Sequence, residues 1–507
     1  MRCVLCVMIA TALLLASTGH SGELKPAVDG WRLAHEAEIV GRLEALTRMR
    51  SIAADPAATA TAAASLKSEL ERRGFSAELL SVPGAPPVVY GALATPGAKR
   101  TAVFYAHYDG QPVTPSQWSS DPFDPVMRSG PLGSAMATVD WKHAKPPFDP
   151  EWRLFGRAVA DDKTSIVAFL AAFDALQALG KKPSLNIKVV WEGEEEAGSN
   201  HLGEILRPNV ARLSSDVWLI GDAPLHQSRT PTLYFGARGI VGVELTIFGP
   251  VRALHDGHYG NWAPNPAAMA AGLIAQMRDD DGKILVPGFL DEVRPLTRDE
   301  RAALERIPPI EKDLRQQFGI ARSEGSEGVF ASVMRPALNI RGIRSGQVGA
   351  ETASAIPVDA TVAIDFRIVP DQNVKTVQSR FEDFLRAQGW TVVADTPDSA
   401  ARLTHPRIVK VTWQDGYPAL RSDMGTPEAQ AVIAAAGKAA GRPPVLLPMM
   451  GASVPIYLFN DLFKAPVIGV PVVNHDNNQH AANENIRLQN LWDGIDTYAA
   501  LLGELDW

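Results

Sequence analysis

Cysteine is almost missing from this 507-residue chain: there are two, Cys3 and Cys6, both at the very start. They lie in or beside an apolar run, residues 4–16, that follows Arg2 and gives way to small and polar residues over 17–22. That is the layout of an export signal, expected over residues 1–22, and it points to a periplasmic or secreted protein. The run is too short for a comfortable membrane span, so no stable span is expected once the leader is removed. A mature chain without cysteine can have no disulfide, no thiolate metal ligand and no cysteine nucleophile. Positive charge is also in short supply. Lys and Arg number 49 against 57 Asp and Glu, a net charge of -8 with no dense basic run, which argues against nucleic acid as a partner.

What is present suits a large globular protein. Apolar residues make up 46% and charged residues 21%, and the length exceeds what one compact core holds. Helical spacing of apolar positions covers 34–49, 59–73 (stopped by Gly74) and 163–179 (stopped by Gly180 and Pro183). Short apolar runs at 77–82, 88–92, 102–106, 185–191, 217–220 and 467–470 read as strands. Strands alternating with helices predict an α/β fold, a phosphorylase/hydrolase-like mixed sheet flanked by helices. The middle differs: strand 241–248, helix 266–277, strands 337–343 and 360–368, helix 374–388, strand 408–413. This β-α-β-β-α-β order predicts an inserted ferredoxin-like α+β lid domain. It is placed at 237–418, between catalytic-domain parts at 23–236 and 419–507. Residues 282–317 are expected to decorate the lid, and 131–151 to form a loop insertion near the site.

Five groups follow predicted strand ends, where open α/β sheets place ligands. His107 and Asp109 stand two apart on an extended chain, so they share a side, and a ligating histidine needs an acceptor such as Asp109 on its other ring nitrogen. Asp161-Asp162 precedes the strong helix; taken alone, such a pair reads as a helix cap. Glu192, Glu194, Glu195 and Glu196 follow a buried strand; they form either a solvated acidic loop or a cluster that a cation neutralises. Asp222 and His480 carry little weight singly. Together the set offers two histidines and several carboxylates, a donor set suited to zinc, with one bridging carboxylate able to hold a metal pair roughly 3.5–4 Å apart.

In order and spacing these residues resemble the two-zinc metallopeptidases that include carnosinase-type dipeptidases, glutamate carboxypeptidases, aminoacylases and succinyl-diaminopimelate desuccinylases. The resemblance is to the dipeptidase-like branch, and it runs over nearly the whole mature chain. It implies two Zn2+, with Co2+ or Mn2+ as substitutes, held by His107, Asp161 as the bridge, Glu196, Asp222 and His480. It makes Glu195 the general base and Asp109 the partner of His107, with a cis peptide after Asp161. It assigns oxyanion stabilisation to His255, in the stretch Leu254-His255-Asp256-Gly257-His258-Tyr259, supplied across a homodimer built through the lid. Arg367, in Asp365-Phe366-Arg367, would hold a substrate carboxylate, and Gly451 and Ser453 would contact the substrate terminus.

Two departures stand out: Ala158 replaces the usual glycine before the Asp pair, and Thr164 replaces a glycine after it. The expected activity is hydrolysis of the amide bond in dipeptides or short peptides with a free C-terminal carboxylate. An N-acyl amino acid deacylase, a carbamoyl-amide hydrolase and a non-catalytic metal- or peptide-binding protein are the alternatives.

Overall fold

The computed structural model describes residues 24–133 and 136–507; the expected leader, with Cys3 and Cys6, lies outside them. Among the described residues no helix is long and apolar enough to cross a membrane.

The larger sheet has eight strands, in the order Ser76–Leu80, Val88–Leu93, Asn186–Glu192, Thr101–His107, Val217–Ile220, Val467–Gly469, Thr232–Tyr234, Val445–Leu447. The four strands from Asn186–Glu192 to Val467–Gly469 run parallel, while the first two are antiparallel. Every residue of Val217–Ile220 is buried, as expected for a parallel strand covered on both faces.

One face carries Leu24–Arg48, Pro56–Arg72, Thr164–Ala178, Pro427–Ala440 and Leu488–Glu504. Asp55 caps the second of these through the Ala58 N–H, with Pro56 in the first turn, where its missing donor costs nothing. Phe169 lies among the rings of Phe75, Phe104, Trp191 and Tyr498, with centroids 5.0 to 6.5 Å away; its truncation to alanine would cost about 3–5 kcal/mol. The other face holds Leu202–Leu206, Val210–Leu213 and Tyr457–Phe463, with Trp218 stacked on Phe459 at 4.3 Å.

A second sheet has the order Ala337–Arg344, Asp359–Ile368, Gly239–Phe248, Ile408–Tyr417, Thr391–Val393. Its first four strands pair antiparallel. The expected ferredoxin-like order is present, with one addition: Thr391–Val393 joins the edge in parallel. Pro266–Met277 and Val374–Ala387, capped by Asn265 and Asn373, pack on this sheet around Phe366 and Phe381. The decorating segment contributes Arg298–Arg306, which opens with a Thr297/Glu300 capping box, and Glu311–Phe318. Buried Glu300 pairs with Arg421 at 2.8 Å.

The 131–151 loop packs against the N-terminal helix. Trp141 and Phe148 are buried in the larger core, and the Phe148 N–H donates to Glu36 at 2.6 Å.

Candidate metal centre

The parallel strands end together and deliver the candidate ligands to one place. His107 is the last residue of Thr101–His107, and both it and Asp109 are fully buried. Glu195 and Glu196 open the short turn Glu195–Ala197 beyond Asn186–Glu192. Asp222 lies two residues past Val217–Ile220. Asp161 sits in the kinked turn Val159–Lys163 that leads into Thr164–Ala178, and its peptide bond to Asp162 is cis. His480 lies in a loop with φ at 62°, a conformation costly for a residue bearing a Cβ and common where a fold holds a functional side chain.

Two groups of donor atoms result. Atoms of His107, Glu195 and Asp222 all lie within 4.8 Å of one another, as do those of Asp161, Glu196 and His480. Asp161 joins the groups: one carboxylate oxygen is 3.0 Å from His107 Nε2 and the other 3.1 Å from His480 Nε2. His480 Nε2 is also 3.1 Å from Glu196 Oε2. Bonds of about 2.0–2.1 Å in a tetrahedral zinc shell place neighbouring donors about 3.3 Å apart, so these separations fit pairs of donors sharing a metal ion.

The electrostatics call for cations. Burial and the Asp161 charge push the Asp222 carboxyl up to about 7. Burial raises Glu195 well above the usual range; Asp222 and Glu196 add to this and His107 offsets it. Burial alone would lower His107, but hydrogen bonds with Asp109 and Asp161 hold it well above the ordinary imidazole value. Hydrogen bonds with Asp161 and Glu196 raise His480 to about 10. Carboxylates crowded in low dielectric take up protons or another positive charge, and metal ions would supply that charge at neutral pH without protonating the ligands.

A cavity of about 460 Å³ opens on this cluster. Its wall includes Asp161, Glu195, Glu196, Asp222 and His480 at one end and Gly451 to Val454 along a side. Arg367, on the second sheet, donates through Nη1 to Ser453 Oγ at 2.8 Å and through Nε to Asp365 at 2.9 Å. Arg238 donates twice to the Gly451 carbonyl, at 2.9 and 3.0 Å. Burial, with the Arg367 charge next, lowers its guanidinium to about 10. His255 is the one site candidate that lies apart: it is exposed and accepts the Gly257 N–H at 3.1 Å, and it is not among the residues lining the cavity. The 131–151 loop, expected near the site, contributes no described residue to that lining.

The sequence pattern of peptidase family M20/M25/M40 matches residues 103–504. The chain belongs to that family. It is accordingly a metallopeptidase. A Schizosaccharomyces pombe Cys-Gly metallodipeptidase, dug1, is 26% identical over 428 residues, covering 83% of each chain. The human Beta-Ala-His dipeptidase is 27% identical over 430 residues, 83% of this chain and 78% of its own. Among solved structures, an M20 family metallo-carboxypeptidase from Sulfolobus solfataricus superposes with a TM-score of 0.74 at 26% identity, covering 92% of this chain and 98% of that one.

Around the M20 centre, the structure sorts residues that the sequence left together. Of the four glutamates expected after the buried strand, Glu192 is the strand's last residue and accepts the Tyr105 hydroxyl at 2.6 Å, and Glu194 accepts from the His201 backbone N–H and faces its Nδ1. Only Glu195 and Glu196 reach the cavity. Gly193, between Glu192 and Glu194, leaves room for the buried Tyr108 ring, whose hydroxyl oxygen a Cβ there would meet at 2.2 Å. Asp109 has a second task besides facing His107 at 3.4 Å: it accepts the backbone N–H groups of Glu195 and Glu196, at 3.3 and 3.1 Å.

Gln111 and Glu484 were not singled out by sequence reasoning. Gln111 donates to Glu196 Oε2 at 2.8 Å. Glu484, fully buried, accepts backbone N–H groups from Ala158, Ala160 and Asp161 and pairs with Arg157 at 2.8 Å. Four hydrogen bonds on one carboxylate fix the turn that carries Asp161. Ala158 keeps the left-handed conformation, φ 60°, that suits the missing glycine, so the substitution leaves the turn in place at a cost of about 1 kcal/mol.

Proposed function

We propose that the protein hydrolyses the peptide bond of dipeptides or short peptides bearing a free C-terminal carboxylate, using two zinc ions. The observation that carries this reading is Asp161 shared between His107 and His480. His107, Asp161 and Asp222 would hold one ion and Asp161, Glu196 and His480 the second. A metal pair so held supplies Lewis acidity toward the amide carbonyl and a nucleophile from water near neutral pH. Glu195 takes the proton from the attacking water and delivers it to the departing amine. The partly buried acidic surroundings that raise its pKa suit both halves of that task.

Arg367 and Ser453 receive the substrate carboxylate, Arg367 through a planar fork that matches it, and this fixes the scissile amide over the metal centre. Gly451, whose carbonyl Arg238 holds, borders the same rim. His255 stabilises the oxyanion, supplied by the second subunit of a homodimer formed through the inserted domain. The names of the relatives from fission yeast and human support the dipeptide class. The N-terminal apolar run supports a location outside the cytoplasm.

The test is metal analysis together with a panel of dipeptides set against N-acetyl and N-succinyl amino acids. Two equivalents of zinc and preferential cleavage of dipeptides are expected. Turnover confined to the acylated amino acids would replace the reading with that of a deacylase.

A further inference from the structure

The cavity continues beyond the metal cluster into a recess that the proposed chemistry leaves unused. Leu225 and His226 follow Asp222 on one side, Phe330 comes from the short helix Val329–Ser332 that precedes the strand Ala337–Arg344, and His475 stands at the rim. The recess is built, not incidental. His226 is 3% exposed, and its Nδ1 accepts the Ser228 N–H at 3.1 Å, which leaves the proton of the neutral ring on Nε2. Its ring lies 5.2 Å from that of Phe330, tilted by 39°. The Leu225 N–H donates to the Val473 carbonyl at 2.9 Å, tying this wall to the strand end that leads to His475. Ala223, at φ 109°, turns the chain between Asp222 and this wall.

The charge pattern narrows the occupant. All four carboxylates lining the cavity, Asp161, Glu195, Glu196 and Asp222, belong to the metal cluster, and no Lys or Arg lines it among the described residues. Burial lowers both imidazoles below their ordinary value, outweighing Glu311 at His226 and Asp476 at His475, so neither adds a fixed positive charge to the wall. Outside the metal cluster the lining offers a charged side chain no counter-ion, only neutral polar groups, so such a group would give up hydration without an ion pair. Phe330 and His226, packed on each other, present aromatic surface against which a flat apolar side chain would bury area.

We infer that this recess takes the side chain of the residue that supplies the scissile carbonyl, and that it selects a large uncharged, above all aromatic, side chain there. The assignment rests on the dipeptidase reading. With the carboxylate at Arg367 and Ser453 and the carbonyl at the metal cluster, the remaining space in the same cavity falls to the amino-terminal residue.

The experiment compares kcat/KM of the metal-loaded protein on Phe-Gly, Leu-Gly, Gly-Gly, Asp-Gly and Lys-Gly, for the wild type, Phe330→Ala and Phe330→Leu. Calorimetric affinities for free phenylalanine and glycine are measured on the same samples. Phe-Gly should exceed Gly-Gly, Asp-Gly and Lys-Gly by about tenfold or more. That ratio should collapse in Phe330→Ala and survive in part in Phe330→Leu, and phenylalanine should bind more tightly than glycine. Equal kcat/KM across the series, or an optimum at Asp-Gly, overturns the inference. If no dipeptide is cleaved, the dipeptidase reading falls and the binding arm decides. A preference for phenylalanine that Phe330→Ala removes upholds the recess, and equal affinities dismiss it.

Discussion

Glu484 accepts the backbone N–H of Asp161 at 3.0 Å from a position with no solvent exposure. Its other three hydrogen bonds, from Ala158, Ala160 and Arg157, hold the rest of the same turn. Glu484 therefore positions the turn that carries Asp161, the carboxylate proposed to bridge the metal ions, through its backbone alone. Burial raises its own carboxyl to about 7, against the pull of Arg157. Glu484→Gln keeps the shape but loses an acceptor for two of the donors. Metal affinity should fall by about 10- to 100-fold, the usual effect of removing such an outer support, as read by competition with a chromophoric chelator. Unchanged affinity in a folded variant would show that the turn holds itself.

Glu195→Gln separates the base from the ligands. The amide occupies the same space, and His107, Asp161, Glu196, Asp222 and His480 remain. Metal content should stay near wild type while kcat drops by about 10²–10⁴-fold, measured by metal analysis and steady-state kinetics on one preparation. A variant that turns over at the wild-type rate would remove Glu195 as the base; one that also loses metal would make it a ligand, as its place beside His107 and Asp222 allows.

The convergence of His107, Asp161, Glu196, Asp222 and His480 was legible from their order and spacing taken together, which resemble a known family; singly, Asp222 and His480 gave little signal and the Asp161-Asp162 pair read as a helix cap. Glu484 gave no such signal: a lone glutamate four residues after His480 declares its burial only in three dimensions. Arg238 and Gln111 were hidden for the same reason. In the fold, Val217–Ile220 and Pro266–Met277 are plain in the pattern, whereas Pro427–Ala440 and Leu488–Glu504 are not. The first is alanine-rich, so its two faces hardly differ. The second buries polar residues such as Asn490, Asp496 and Thr497 along with Trp492 and Leu501, which blurs the apolar stripe. Thr391–Val393 is three residues at a sheet edge, too short to carry a period.

The loop bearing His475 and His480 is anchored by Arg153, buried, which donates to Asp476 at 2.7 Å. Burial alone would raise the Asp476 carboxyl, but hydrogen bonds from Arg153 and Asn474 outweigh it and hold the group at about 2. A carboxylate whose folded value lies below its ordinary 3.8 contributes stability that is present above pH about 4 and is lost as pH falls toward 2. Asp476→Asn should therefore cost about 1 kcal/mol at pH 7, a figure reduced for the partial solvent exposure of the side chain. The difference between the two proteins should shrink steadily in denaturant titrations run between pH 5 and pH 3. A cost independent of pH would assign the effect to the Asn474 contact or to packing instead of charge.

His255 offers the sharpest test of assembly. It is exposed and outside the cavity of its own chain, yet the proposed reaction needs it at the oxyanion. If it acts across a subunit boundary, His255→Ala and Glu195→Gln proteins are each inactive but not in the same way. One lacks a group it lends, the other a group it keeps. Mixed and allowed to exchange subunits, half the dimers are hybrids, and each hybrid holds one site with both groups intact. Activity should then recover to roughly a quarter of the wild-type value, rising at the rate of subunit exchange and absent from either protein alone. A mixture that stays inactive while light scattering shows hybrid dimers would confine His255 to its own chain, and would require the inserted domain to swing over the cavity of the same subunit before chemistry.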